Sequence, residues 1–208
     1  MTAPAADGLD LPLRLLTPLA WGQAVLADPV ALLNDHAFLE KKAANNALEL
    51  MTRWPSERFP GWVETMTAVA RDEAAHLSQV VRLLTRMGGH LERIHKNPYA
   101  NALRLLVRRG GTGETIDRLL VSALIEARSC ERFGVLKTAA PAESELAALY
   151  RRLHASELGH YRVFLRLAEK AGPAKKVEER WDQLLTAEAA ILSAEAPGPR
   201  IHSGIAPR

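Results

Sequence analysis

Three Glu-x-x-His tetrads occur in the 208 residues: Glu73/His76, Glu92/His95 and Glu157/His160. With 17 Glu and 7 His in the chain, random placement gives fewer than one such pair. On a helix, residues three apart project from one face, so a carboxylate and an imidazole at this spacing can ligate one metal cluster. Two further glutamates extend the pattern. Glu40 precedes Glu73 by 33 residues and Glu126 precedes Glu157 by 31, near-equal intervals that set all four at similar depth in an antiparallel bundle. One Glu from each of two helices, joined by Glu-x-x-His from two others, is the di-metal carboxylate arrangement of helix bundles. Four carboxylates and two neutral imidazoles are balanced by two ferrous ions, and mixed oxygen and imidazole ligation favours iron or manganese over a soft metal.

The surroundings of these residues strengthen the reading. At helical spacing, Glu40 falls among Leu33, Ala37, Ala44, Ala47 and Met51. Glu73 and His76 share a face with Met66, Val69, Leu77, Val80 and Leu84, while Glu126 lies between Leu119, Ala123, Cys130 and Phe133. Tyr150, Leu153, Phe164 and Ala168 flank Glu157 and His160. Carboxylates centred in apolar stripes are very unfavourable unless cations neutralise them. Glu92/His95 follows Gly88-Gly89 in a connection, off any apolar stripe, and is rejected as a ligand pair.

Each residue also has a bland reading. Glu40 becomes a surface acid if its helix is rotated, since Lys41 and Lys42 beside it are solvent-type. A single His is more often a satisfied core residue than a ligand. Asp72 is a candidate to hydrogen-bond a ligand histidine, with a surface position as the alternative. Cys130, one turn after Glu126, and Tyr150 are candidates to stand beside the ligands; for both, and for Tyr161, packing is the simpler role. His36 and His154 flank ligand positions by one turn as outer candidates.

The elements that must position these groups are helices. Asp28-Pro29 supplies an N-cap and a first-turn proline, and the helix runs to about Arg53, before Trp54-Pro55. A second spans from near Pro60 to Gly88-Gly89. The basic connection 90–112 holds a shorter helix around 98–109. A third helix covers about 114–137, with Thr112 as N-cap; a fourth starts at Pro141 and ends at Gly172-Pro173; a fifth covers about 174–193. Short links make each consecutive pair antiparallel, and the long connection lets the second pair lie beside the first. No stretch alternates with period 2. The expected class is all-α, a ferritin-like four-helix bundle in one domain, with a core of about 29–172. The last 15 residues are Pro- and Gly-rich and by propensity lack regular structure.

Composition agrees: 48% hydrophobic, 25% charged and 5% aromatic residues suit a helical globular domain. One cysteine, Cys130, cannot form an internal disulfide. No apolar run approaches the length of a bilayer span and no signal peptide is apparent, so a cytoplasmic protein is expected. Net charge is +3, and Arg82, Arg86, Arg93, Lys96, Arg104, Arg108 and Arg109 cluster around one acid, Glu92. That cluster is either a solvated surface or a polyanion-binding face, for which nucleic acid is the natural partner.

The stretch Leu32-Leu33-Asn34-Asp35-His36-Ala37-Phe38-Leu39-Glu40-Lys41-Lys42-Ala43-Ala44, with Arg71-Asp72-Glu73-Ala74-Ala75-His76-Leu77, resembles the tRNA 2-methylthio-N6-isopentenyladenosine hydroxylase family (MiaE), ferritin-like di-iron monooxygenases. Arg200-Ile201-His202-Ser203-Gly204 is similar to that family's C-terminal motif, and the resemblance runs over essentially the whole chain. Leu39 stands where a cysteine is expected before the first ligand. The resemblance implies an O2-dependent hydroxylase of the isopentenyl group beside the tRNA anticodon, with Glu40, Glu73, His76, Glu126, Glu157 and His160 holding two Fe ions. In that arrangement Glu73 and Glu157 bridge, and Glu40 and Glu126 are terminal. It implies tRNA as partner, with Arg82, Arg86, Arg104, Arg108 and Arg109 as candidate contacts. It also implies a ferredoxin or reductase as electron donor, since the chain has no flavin or nicotinamide motif, and a C-terminal segment packed near the site. The rival readings are another ferritin-like di-iron protein of ferroxidase or peroxidase type, and a metal-free helical module.

Overall fold

The computed structural model describes residues 11–54 and 59–205. It contains seven helices among these residues and no strand: α1 Leu19–Val25, α2 Pro29–Arg53, α3 Trp62–Arg86, α4 Pro98–Leu105, α5 Gly111–Ala139, α6 Glu145–Ala171 and α7 Ala174–Ala194. None is long and apolar enough to cross a membrane. The chain divides into two compact units. One is the α2–α3 hairpin, Asp28–His95; the other holds α1 and α4–α7.

In the hairpin unit, local chemistry sets the helix ends. Asp28 accepts a hydrogen bond from the Ala31 amide (3.0 Å), and Pro29 opens α2 as expected. Gly61, at φ 75°, precedes α3. Beside it Trp62 donates its indole N–H to the Met51 carbonyl (3.2 Å) and meets Trp54 edge-on. At the far end Gly88 (φ 81°) closes a Schellman motif, with the Gly89 amide bonded to Leu84 O and the Gly88 amide to Thr85 O. A Cβ on Gly89 would lie 2.4 Å from Leu84 Cδ1 and 2.8 Å from Val30 Cγ1, so this stop is also a close helix approach.

The segment after that stop is tied back to α2. The Glu92 amide donates to Asn34 Oδ1 (3.0 Å), His95 Nε2 to Asp35 Oδ1 (2.7 Å), and Lys42 Nζ to His95 Nδ1 (2.8 Å). The His95 ring also stacks on Phe38 at 4.8 Å. His95 is thus a structural anchor.

In the larger unit, α5 packs on α6, and α1, α4 and α7 pack around α5. Several expected boundaries shift. α5 begins at Gly111, capped by Gly110 (φ 80°) rather than Thr112, and the Glu114 carboxylate reaches back to accept the Gly110 amide (2.8 Å). α6 begins at Glu145, because Pro141 sits in a turn and the Ser144 hydroxyl accepts the Ala147 amide (3.1 Å). α4 stops at Leu105, not 109, since the Arg108 amide and guanidinium are both drawn to Asp117. α1 was not expected. It is short, and tertiary contacts hold it: a Cβ on its Gly22 would lie 2.9 Å from both Ala139 Cβ and Val135 Cγ1, and the Thr17 hydroxyl ahead of it donates to Glu131 (2.8 Å).

The C-terminal segment is irregular, as propensity suggests, but it is not loose. Ile201, His202 and Ser203 are buried. Ser203 accepts from Trp21 Nε1 (3.0 Å) and Arg132 Nη2 (3.1 Å). His202 bonds Ser129 Oγ (3.2 Å), three residues on from Glu126, and lies against Tyr99. A Cβ on Gly204 would fall 1.7 Å from the Glu195 carbonyl oxygen.

Candidate metal centre

Within the hairpin unit, Glu40 on α2 and Glu73 and His76 on α3 converge. Each offers a ligand atom within 4.8 Å of the others, and their exposures are 4%, 1% and 6%. His76 Nδ1 is the ring nitrogen facing both acids, 3.6 Å from Glu40 Oε2 and 3.5 Å from Glu73 Oε2. The second Glu40 oxygen, Oε1, accepts from His36 Nε2 at 2.6 Å. Burial alone pushes the Glu40 carboxyl up. The hydrogen bond and charge of His36, with His76 close by, outweigh it and hold the group well below the usual carboxylate range. Glu40 is ionised and pre-oriented.

The larger unit builds a matching triad. Glu126 on α5 and Glu157 and His160 on α6 place ligand atoms within 4.8 Å of one another. His160 Nδ1 lies 3.9 Å from Glu157 Oε2, the same i, i+3 geometry as on α3. All three are buried. Around them Ala123, Cys130, Phe133, Tyr150, Leu153 and Phe164 are buried too, so the apolar stripes of α5 and α6 run as the sequence pattern implies. On α2 and α3 most of the stripe is buried, with Ala44, Met51 and Leu77 partly exposed.

The donor chemistry fits a divalent cation in each triad. Two carboxylates and one neutral imidazole carry a charge of −2, which one divalent ion cancels. Removing two adjacent acids from water without a cation is strongly unfavourable. Oxygen-rich donors with one imidazole suit iron or manganese.

The remaining candidates fall in different places. The Asp72 carboxylate is 41% exposed and takes hydrogen bonds from neighbouring Arg71. Cys130 is buried and donates to the His154 carbonyl (3.4 Å). Tyr150 is buried against Phe133, with ring centres 5.4 Å apart, and Tyr161 packs on Trp181. Arg82, Arg86, Arg104 and Arg109 are exposed. Arg108 is committed to Asp117 through Nε (2.9 Å) and Nη2 (2.7 Å), and Arg180 joins from α7 at 3.0 Å. His36, an outer candidate by sequence, bonds Glu40 directly, and its i, i+4 spacing is the signal that points to it. The buried Arg128–Glu188 pair, 2.8 Å apart on α5 and α7, was missed because its partners lie 60 residues apart.

Seven helices and no strand among the described residues, with two such triads, define a ferritin-like carboxylate protein. A solved structure of that kind, "Protein 43 with aldehyde deformylating oxygenase activity" from Synechococcus, is similar at a TM-score of 0.84 and 35% identity, covering 92% of this chain and 96% of that one. The chain belongs to the tRNA-(MS2IO6A)-hydroxylase (MiaE) family, whose model matches residues 9–203. A Pseudomonas putida tRNA 2-(methylsulfanyl)-N(6)-isopentenyladenosine(37) hydroxylase is 38% identical over 189 residues, 91% of this chain and 90% of the relative. A Salmonella typhimurium protein of the same description is 31% identical over 144 residues, 69% of this chain and 52% of that one.

Proposed function

We propose that this protein hydroxylates the isopentenyl side chain of 2-methylthio-N6-isopentenyladenosine next to the tRNA anticodon, using two irons held by Glu40, Glu73, His76, Glu126, Glu157 and His160. The observation that carries the reading is the pair of equivalent buried triads, each of charge −2, in a chain of the hydroxylase family. Glu40, Glu73 and His76 would hold one metal and Glu126, Glu157 and His160 the other.

The overall reaction adds one oxygen atom of O2 to a methyl C–H, giving C–OH, while two electrons and two protons take the other oxygen to water. The irons, when bound, supply the O2 chemistry that attacks an unactivated methyl group. The chain's own residues do the rest. The glutamates and histidines fix the metals, and His36 holds Glu40 in its ionised form. The apolar side chains around the triads, such as Ala37, Val69, Ala123, Phe133 and Leu153, exclude water and match a prenyl group. Electrons come from a separate ferredoxin or reductase. The anticodon loop offers phosphates and an unstacked base; Arg82, Arg86, Arg104 and Arg109 are the exposed candidates for phosphate contact, and Arg108 is a weaker one because Asp117 engages it.

The test supplies iron-loaded protein, a reducing system, 18O2 and tRNA bearing the prenylated nucleoside, then analyses nucleosides by mass spectrometry. One 18O atom on the nucleoside is the expected result. The Synechococcus neighbour favours a second reading, so the same preparation is given an aliphatic aldehyde. Formate release without tRNA oxidation moves the chain to that activity, and iron oxidation with neither product moves it to a ferroxidase or peroxidase type.

A further inference from the structure

We infer that His36 is the positioning residue for Glu40, and that the metal position beside Glu40 and His76 depends on it; this rests on the di-iron reading above. His36 is completely buried, and its Nε2 lies 2.6 Å from Glu40 Oε1, one helical turn away. A carboxylate only accepts, so the imidazole donates. With Oε1 held in this way, Glu40 presents Oε2, the oxygen 3.6 Å from His76 Nδ1, towards the metal. Glu40 therefore ligates through one oxygen in a fixed orientation, its side-chain freedom already restricted before the metal arrives.

The other half-site differs in sequence at the matching place. Four residues before Glu126 on α5 stands Ser122. The Glu-x-x-His pairs of α3 and α6 share their i, i+3 geometry, with His154 one turn before Glu157 where α3 has Ala70; His36 is bonded to Glu40 of the first half-site. Groups that orient a metal ligand from behind commonly change metal affinity by about 10–100-fold when removed. The ion beside Glu40 and His76 is accordingly the one that depends on His36.

The experiment titrates Co(II) into the metal-free full-length chain, following visible absorption and the heat of binding. Wild type takes up two ions. His36→Leu weakens one of them by about 10–100-fold and leaves the other unchanged; His36→Gln, whose amide donates from a similar reach, recovers most of that loss. Circular dichroism checks the fold. If His36→Leu does not fold, His36→Asn, too short to reach Oε1, replaces it with the same expectation. A wild-type isotherm in the Leu or Asn variant overturns the inference and leaves the di-iron reading standing. So does equal weakening of both ions, which marks a merely structural histidine. A wild-type chain that binds no Co(II) overturns the di-iron reading itself.

Discussion

Glu73 and Glu157 are 1% and 2% exposed, each within a few ångströms of another acid and an imidazole of its own hairpin. Such groups exist for what they bind rather than for the stability of the metal-free fold. Glu157→Gln therefore lowers the metal content from two ions towards one, while the metal-free variant melts at or above the wild-type temperature. Metal analysis and a melting curve in chelator check both halves. Conversely, a divalent ion at 100 times its dissociation constant stabilises the wild type by about 2.7 kcal/mol, which raises the melting midpoint by roughly 5–10 °C; chelation reverses it. Residue identity was the most legible level of this chain, because acids in apolar stripes violate the helix pattern visibly. What stayed hidden were bonds with no periodic signal: His95 to Asp35 and Arg128 to Glu188 join residues 60 apart.

Among the elements, Asp117 shows how α4, α5 and α7 are tied. It accepts from the Arg108 amide and guanidinium and from Arg180, whose Nη2 also donates to the Leu106 carbonyl. Burial raises the Asp117 carboxyl, but the two arginines outweigh it and set it below its ordinary value of 3.8. A depressed acid contributes stability above its unfolded value and loses it as pH falls through the folded one. Wild-type stability should thus decline as pH drops below about 4. Asp117→Asn should cost about 3 kcal/mol at neutral pH and show a smaller decline in acid, measured by urea unfolding across pH. The tail offers a steric counterpart: Gly204→Ala forces a Cβ into the Glu195 carbonyl and should destabilise by about 1–3 kcal/mol. Ends set by neighbouring residues, such as Asp28-Pro29 and Gly88-Gly89, were readable in the sequence. The start of α6 was not, because Ser144 outcompeted Pro141 for the cap. α1 was not either, since a seven-residue helix depends on the partner it packs against.

On the scale of the molecule, the chain repeats one device: a long antiparallel hairpin whose first helix brings a Glu and whose second brings Glu-x-x-His. Two copies with opposite demands, buried charge and an apolar lining, explain both the ferritin-like likeness and the even spacing first seen in the sequence. The basic surface belongs to this scale as well. If Arg82, Arg86, Arg104 and Arg109 contact phosphates, replacing each by Ala weakens tRNA binding across sequences and lowers the salt slope by about 0.7–0.9 per contact, whereas Arg108→Ala does less to the slope and more to stability. Filter binding at several salt concentrations separates these outcomes.

The central claim is that six side chains from two hairpins hold a pair of irons. Anomalous diffraction at the iron edge from crystals of the iron-loaded protein tests it most directly. The account predicts two peaks, one against Glu40, Glu73 and His76 and one against Glu126, Glu157 and His160. A single peak, or iron bound away from these residues, would contradict it.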